Sequence, residues 1–308
     1  MINDHLIDLL ESILGQDIMQ HMQNDDVIEI MINPDKTLWI DTLTKGRIKT
    51  NITIEPQTTL NIINLVASDL GTVVTEEKPI ISAELPKSKS RFQGMIPPVV
   101  ENPCFTIRKK AIQIFTLDDY VKQGILSIKQ LGTIKELVKN KQNILVVGGT
   151  STGKTTLCNA IINEISNYNE RLIIIEDTQE LQSSSEDTVF MKTSDNVNMR
   201  GLLKSTMRFR PDRILVGEIR GAEALELLKA WNSGHPGGIC TIHANNVKGG
   251  LEKLEQYIEE TVASPQKKMI ASTIDAIIVI QKQGLKRVIT DIAKINGYKN
   301  GEYVICEI

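Results

Sequence analysis

The stretch Gly148-Gly149-Thr150-Ser151-Thr152-Gly153-Lys154-Thr155-Thr156 has the residue types that hold phosphate. From Gly148 to Thr155 it satisfies the phosphate-loop pattern G-x-x-x-x-G-K-[ST]. Each part has a chemical task. Gly148 and Gly153 let the backbone approach an anion and take φ values that other residues resist. The bare N–H groups of the loop, followed by a helix start, favour negative charge. Lys154 is placed to reach the β- and γ-phosphates of ATP, and the Thr155 hydroxyl to ligate Mg²⁺. The flanks agree with this reading. The apolar run 143–147 reads as a buried parallel strand, and Leu157, Ala160, Ile161 and Ile165 recur at helical spacing.

Three more segments end apolar runs with polar groups. In an open α/β sheet the carboxyl ends of the strands line the ligand crevice. The run 172–175 ends on Glu176 and Asp177, where a Mg²⁺-bound water would sit; the alternative is a solvated acidic turn. The run 213–216 ends on Gly217 and Glu218. A carboxylate there can hold the metal's water or activate the attacking one, whereas a bland role is to complement a helix dipole. The segment from Gly234 to Asn246 holds two of the chain's four histidines. His243 closes a strand and is a candidate γ-phosphate contact, while His235 in its glycine-rich loop is nearly as well explained as a structural residue.

These groups need a scaffold. From 115 onward strands and helices alternate. Strands are expected at 144–147, 172–175, 213–216, 238–243 and 276–280, and helices near 127–139, 154–166, 198–209, 221–232, 247–260 and 265–272. That alternation predicts a doubly wound parallel sheet over 115–308. Thr116-Leu117-Asp118-Asp119 reads as a capped helix start. Residues 1–114 do not alternate. An amphipathic helix over 1–22 is followed by strands at 27–32 and 37–40 around an Asn-Pro-Asp turn. A helix at 60–70 and strands at 80–85, 91–96 and 105–109 complete what reads as a smaller α+β domain.

Composition sets the outer bounds. The chain has 308 residues and a net charge of −3, so two domains are expected and no global basic field points to nucleic acid or acidic lipid. The four cysteines, Cys104, Cys158, Cys240 and Cys306, are far apart and form no zinc or redox motif, which suits a reducing compartment. No apolar run is long enough to span a bilayer, and no signal-peptide layout opens the chain. The expectation is a cytoplasmic protein that meets a membrane only through a partner or a surface.

In order and spacing the four site segments resemble the Walker A, Asp box, Walker B and His box of the secretion ATPase superfamily, whose members drive type II and type IV secretion and type IV pilus motors. The branch they resemble most is that of the TrbB-type conjugative-transfer ATPases of type IV secretion. Residues 115–120, 208–221 and 234–246 carry this likeness, with 91–98 and 105–110 in the N-terminal domain. The resemblance implies a P-loop RecA-like domain, a homohexameric ring and nucleotide held between the two domains of a subunit. It also implies that Arg91 and Arg108 reach the phosphates; without it both arginines read as solvated strand-end residues. The absence of a tetracysteine module argues against a type II motor.

The sequence thus predicts an ATP-hydrolysing motor of a DNA-transfer or secretion apparatus. Lys154 and Thr155 hold phosphate and metal, Glu176 and Glu218 handle metal and water, and His243 stands near the γ-phosphate. Which of the two glutamates activates water is left open. The rivals are a pilus extension or retraction motor and a helicase or packaging enzyme. Against the helicase stand the acidic net charge and the lack of a basic aromatic stripe, so strong direct nucleic-acid binding is not expected. A nucleotide-gated scaffold without turnover is the non-enzymatic alternative.

Overall fold

The computed structural model describes residues 4–110, 115–194, 196–284 and 286–308. The chain divides into two compact units, residues 1–112 and 113–308. The connection at 111–114, where the sequence pattern sets its domain boundary, lies outside the described residues, as does Ile2 of the expected first helix.

In the first unit, α1 (Asp4–Gln23) is broken at Gly15, whose φ is 75°. Strands β1 (Val27–Ile32), β2 (Thr37–Thr42) and β3 (Gly46–Thr53) precede α2 (Pro56–Asp69), which starts earlier than the periodicity suggests because Pro56 fits a helix's first turn. Strands β4 (Ile80–Glu84), β5 (Arg91–Met95) and β6 (Cys104–Arg108) complete an antiparallel sheet in the order β3-β2-β1-β6-β5-β4. Alternation sorts its faces. Ile30, Ile32, Leu38, Ile40, Phe92, Phe105 and Ile107 pack with Leu14 and Ile18 of α1 and Ile62, Ile63 and Val66 of α2. The opposite face carries a row of charges in register across all six strands: Glu84, Arg91, Arg108, Glu29, Asp41 and Arg47.

The second unit begins with α3 (Leu117–Lys122) and α4 (Ile128–Lys139). Thr116 and Ser127 each close a capping box at these helix starts, as the sequence suggests for the first. The body follows as β7 (Ile144–Gly148), α5 (Lys154–Ile165), β8 (Leu172–Glu176), β9 (Thr188–Lys192), α6 (Met199–Thr206), β10 (Arg213–Val216) and α7 (Glu223–Asn232). It closes with β11 (Ile239–His243), α8 (Val247–Glu259), α9 (Lys267–Thr273), β12 (Ala276–Gln283), β13 (Lys286–Lys299) and β14 (Glu302–Glu307).

The sheet order is β14-β13-β12-β7-β11-β10-β8-β9. From β12 to β9 neighbours run parallel; β13 and β14 add antiparallel strands at one edge. The inner strands are apolar on both faces, as a sheet covered by helices on both sides requires. Leu145, Val147, Ile173, Ile175, Ile214 and Val216 face the α6–α9 side. Ile144, Val146, Leu172, Ile174 and Leu215 face α3, α4 and α5. This is the doubly wound P-loop domain that the alternation predicts, preceded by an α+β unit. Strands β3, β9, β13 and β14 lie outside the segments that the sequence pattern picks out.

Candidate functional site

The carboxyl ends of β7, β8, β10 and β11 come together on one edge of the sheet, because these strands are parallel and adjacent in the order β7-β11-β10-β8. His243 stands in register with Gly148, and Val216 pairs with both Ile175 and Cys240. Gly148, Glu176, Glu218 and His243 are therefore brought to one place from four separate parts of the chain.

The phosphate loop is tightly seated. A Cβ on Gly148 would lie 2.5 Å from the Ile280 carbonyl oxygen and 2.6 Å from Thr152 Oγ1, so only glycine fits. Gly153 caps α5 at φ 97°, and a Cβ there would sit 3.0 Å from Arg287 Cδ. Gly149 has more room, its nearest neighbour being Thr152 Cγ2 at 3.6 Å. Thr150 and Ser151 are exposed at the tip, Ser151 with φ 58°, and Thr152 Oγ1 donates to the Gly149 carbonyl at 3.0 Å. Thr156 lies half-buried in the first turn of α5.

Lys154 is only 8% exposed. Its Nζ donates to the carbonyls of Gly148 at 3.0 Å and Gly149 at 2.9 Å, and lies 3.3 Å from His243 Nδ1. His243 Nε2 in turn lies 2.7 Å from Glu218 Oε1. The other Glu218 oxygen accepts from Arg220 Nε at 2.8 Å and Nη2 at 2.5 Å. Burial works against the Arg220 charge, but the hydrogen bonds and charge of Glu218, with Asp177 and Glu180 nearby, raise its pKa. Lysine, imidazole, carboxylate and guanidinium thus form one continuous polar chain.

Glu176 is 4% exposed, and its Oε1 accepts from the amides of Glu180 and Leu181, each at 3.0 Å. It fixes the turn that carries Glu180 to the loop, where Glu180 Oε2 accepts from Thr155 Oγ1 at 3.2 Å. Gly217 explains itself here: a Cβ would meet Glu176 Cγ at 2.8 Å. Asp177 is exposed and accepts from Thr193 Oγ1. His235 is bonded through Nδ1 to the Pro211 carbonyl at 2.9 Å, the structural role that the sequence left as one of two. Burial pushes the thiols of Cys158 and Cys240 up, so neither is a ready nucleophile.

Arg91 and Arg108 belong to the first unit, where they stand opposite each other on β5 and β6. Arg108 is exposed and also opposes Glu29, whose carboxyl is pushed up by burial and only partly restored by Arg108. Sequence reasoning assigned no role to Glu180, although its spacing of four from Glu176 was visible, and none to Arg220 or Arg287.

Among the described residues no group of three or more His, Cys, Asp or Glu is arranged to hold a metal ion. That suits Mg²⁺ beside phosphate, which needs only one or two protein oxygens and takes the rest from phosphate and water. The Thr155 hydroxyl, already against a carboxylate, fits such a role.

The family model described as type II/IV secretion system protein matches residues 17–295. The probable conjugal transfer protein TrbB of Sinorhizobium fredii is 43% identical over 302 residues, spanning 97% of this chain and 93% of the relative. The type IV secretion system protein VirB11 of Bartonella quintana is 31% identical, over 76% of this chain and 78% of the relative. Among solved structures, the Legionella pneumophila ATPase DotB superposes with a TM-score of 0.62 at 17% identity, covering 94% of this chain and 78% of that one, a likeness of fold.

Proposed function

Because the chain belongs to the type II/IV secretion system protein family, we propose that it is an ATP-hydrolysing motor subunit of a type IV secretion or conjugative DNA-transfer apparatus. The observation that carries the reading is the joining of Lys154, His243 and Glu218 at the strand ends beside a phosphate loop. The 43% identity to a conjugal transfer protein supplies the setting.

The chemistry follows from the residues. The loop amides and the start of α5 take the phosphates of ATP. Lys154 leaves the Gly148 and Gly149 carbonyls and turns its ammonium to the β- and γ-oxygens, which bind it more strongly because they are charged. Mg²⁺ would be held by Thr155, with the carboxylates of Glu218 and Glu176 on that side, and would supply charge neutralisation on the phosphates. Glu180, already hydrogen-bonded to Thr155, joins this group. Glu218 is the better candidate to orient and deprotonate the attacking water, because it is half-buried at the loop, whereas Glu176 is buried with one oxygen holding two backbone amides. Arg220 holds one Glu218 oxygen, and His243 stands 2.7 Å from the other. A γ-phosphate that draws His243 toward itself frees one carboxylate oxygen for water.

The proposal extends to Arg91 and Arg108, two neighbouring forks suited to phosphate oxygens, to assembly as a homohexamer with other subunits of a secretion machine, and to work at the cytoplasmic face of the inner membrane. Steady-state phosphate release tests it. Lys154→Ala is expected to weaken nucleotide binding and turnover together. Glu218→Gln is expected to bind ATP normally and to lose about 100-fold or more in kcat. Parent-rate turnover by Glu218→Gln removes its assigned role, and absent turnover in the parent leaves the nucleotide-gated scaffold.

A further inference from the structure

The β12–β13 hairpin touches the phosphate loop at two points. Ile280 of β12 walls Gly148, and across the turn Arg287, paired with Lys282, lies against Gly153. A Cβ built on Gly153 would be 3.0 Å from Arg287 Cδ and 3.3 Å from Nε. The guanidinium therefore stands beside the glycine that immediately precedes Lys154, at the first turn of α5.

This is an unfavourable place for a cation. The start of α5 carries the positive end of the helix dipole, and the loop's amide hydrogens add to it. Lys154 brings a full charge close by. Yet among the described residues Arg287 makes no ion pair and no side-chain hydrogen bond. Lys282, opposite it on the hairpin, is a second cation, and the Tyr120 phenol, whose pKa burial pushes well up, stays neutral and offers no countercharge. An arginine taken partly out of water gains from a charged partner. An arginine held unpaired beside an anion-binding loop makes electrostatic sense when a polyanion occupies that loop.

We infer that Arg287 is a nucleotide-binding residue, whose guanidinium takes the phosphates common to ATP and ADP on the Gly153 side of the loop. The inference rests on the reading of the loop as a nucleotide site and adds to it a residue from the far end of the chain. It is separate from the part proposed for Arg91 and Arg108, which belong to the other unit of the chain. Arg287 strengthens both nucleotides alike.

The test uses the full chain with ADP and a non-hydrolysable ATP analogue, titrated by calorimetry, beside melting curves with and without ADP. Arg287→Gln is expected to weaken both ligands by about tenfold or more, Arg287→Lys by less. The unliganded melting point should stay near the parent's while the ADP-induced rise shrinks, a pattern that a mere strut for the loop would not give. On the unaltered protein, saturating ADP should protect Arg287 from phenylglyoxal, read by peptide mass. Parent-like affinity of Arg287→Gln overturns the inference and leaves the loop assignment intact. Equal modification of Arg287 with and without ADP overturns it as well, even if the glutamine variant does not fold. A parent chain that binds neither nucleotide takes both down.

Discussion

Arg108 and Glu29 face each other across β6 and β1, and each alters what the other can do. A phosphate brought to Arg108 would have to outweigh the nearby Glu29 carboxylate, which favours a ligand with more charge than one carboxylate. If Arg108 reads the γ-phosphate, Arg108→Ala should weaken the non-hydrolysable ATP analogue by about 10- to 100-fold and ADP far less. Paired calorimetric titrations check this, and equal losses for the two ligands would deny Arg108 that part. At this scale the sequence was informative wherever a residue's place follows from local spacing. Lys154, Thr155, Glu218 and His243 were legible because each ends or follows a recognisable apolar run. Glu180 and Arg220 were not, because their roles depend on which neighbour their side chains meet. Glu180 gains its position from the hydrogen bonds that its own amide and that of Leu181 donate to Glu176, and Arg220 from a carboxylate two residues away.

Among the elements, α3 owes its start to the reciprocal cap of Thr116 and Asp119. The hydrogen bonds of the Thr116 hydroxyl and amide hold the Asp119 carboxyl at a pKa of about 2, below its ordinary 3.8. A carboxyl with a depressed folded-state pKa contributes stability above its unfolded pKa and loses it as pH falls through the folded value. The contribution is therefore present above about pH 4 and fades toward pH 2. Thr116→Ala should cost about 1 kcal/mol near neutrality and flatten this part of the acid limb, which denaturant titrations at several pH values would read. An acid limb unchanged by the substitution would mean that the cap does not couple to Asp119. Capping signals and alternating apolar runs made α3, α4 and the inner strands legible. The edge strands β3, β9 and β14 were not, although β4, at the other edge of the first sheet, was. In β3 only Ile48 and Ile52 are apolar and neither is fully buried, and β9 leaves Phe190 exposed. An edge strand is covered less, so selection writes its pattern more faintly.

For the molecule as a whole, net charge −3 and the absence of a basic aromatic stripe predict weak contact with nucleic acid. Fluorescence anisotropy at physiological salt should give no sub-micromolar affinity for single-stranded or duplex DNA. Tighter binding would restore the helicase reading. No helix among the described residues is long and apolar enough to cross a membrane. The sheet order has a further consequence, in time rather than in space. Strand β7, which leads into the phosphate loop, has β11 and β12 as its neighbours, and both lie far downstream of it. A ribosome that has just released Gly148 must add more than a hundred residues before Ile280 and Arg287 emerge to flank the loop. At ordinary elongation rates that delay is on the order of ten seconds. Throughout it the strand that leads to the loop has no permanent partner, so a nascent chain acquires its nucleotide-binding competence among the last events of its synthesis.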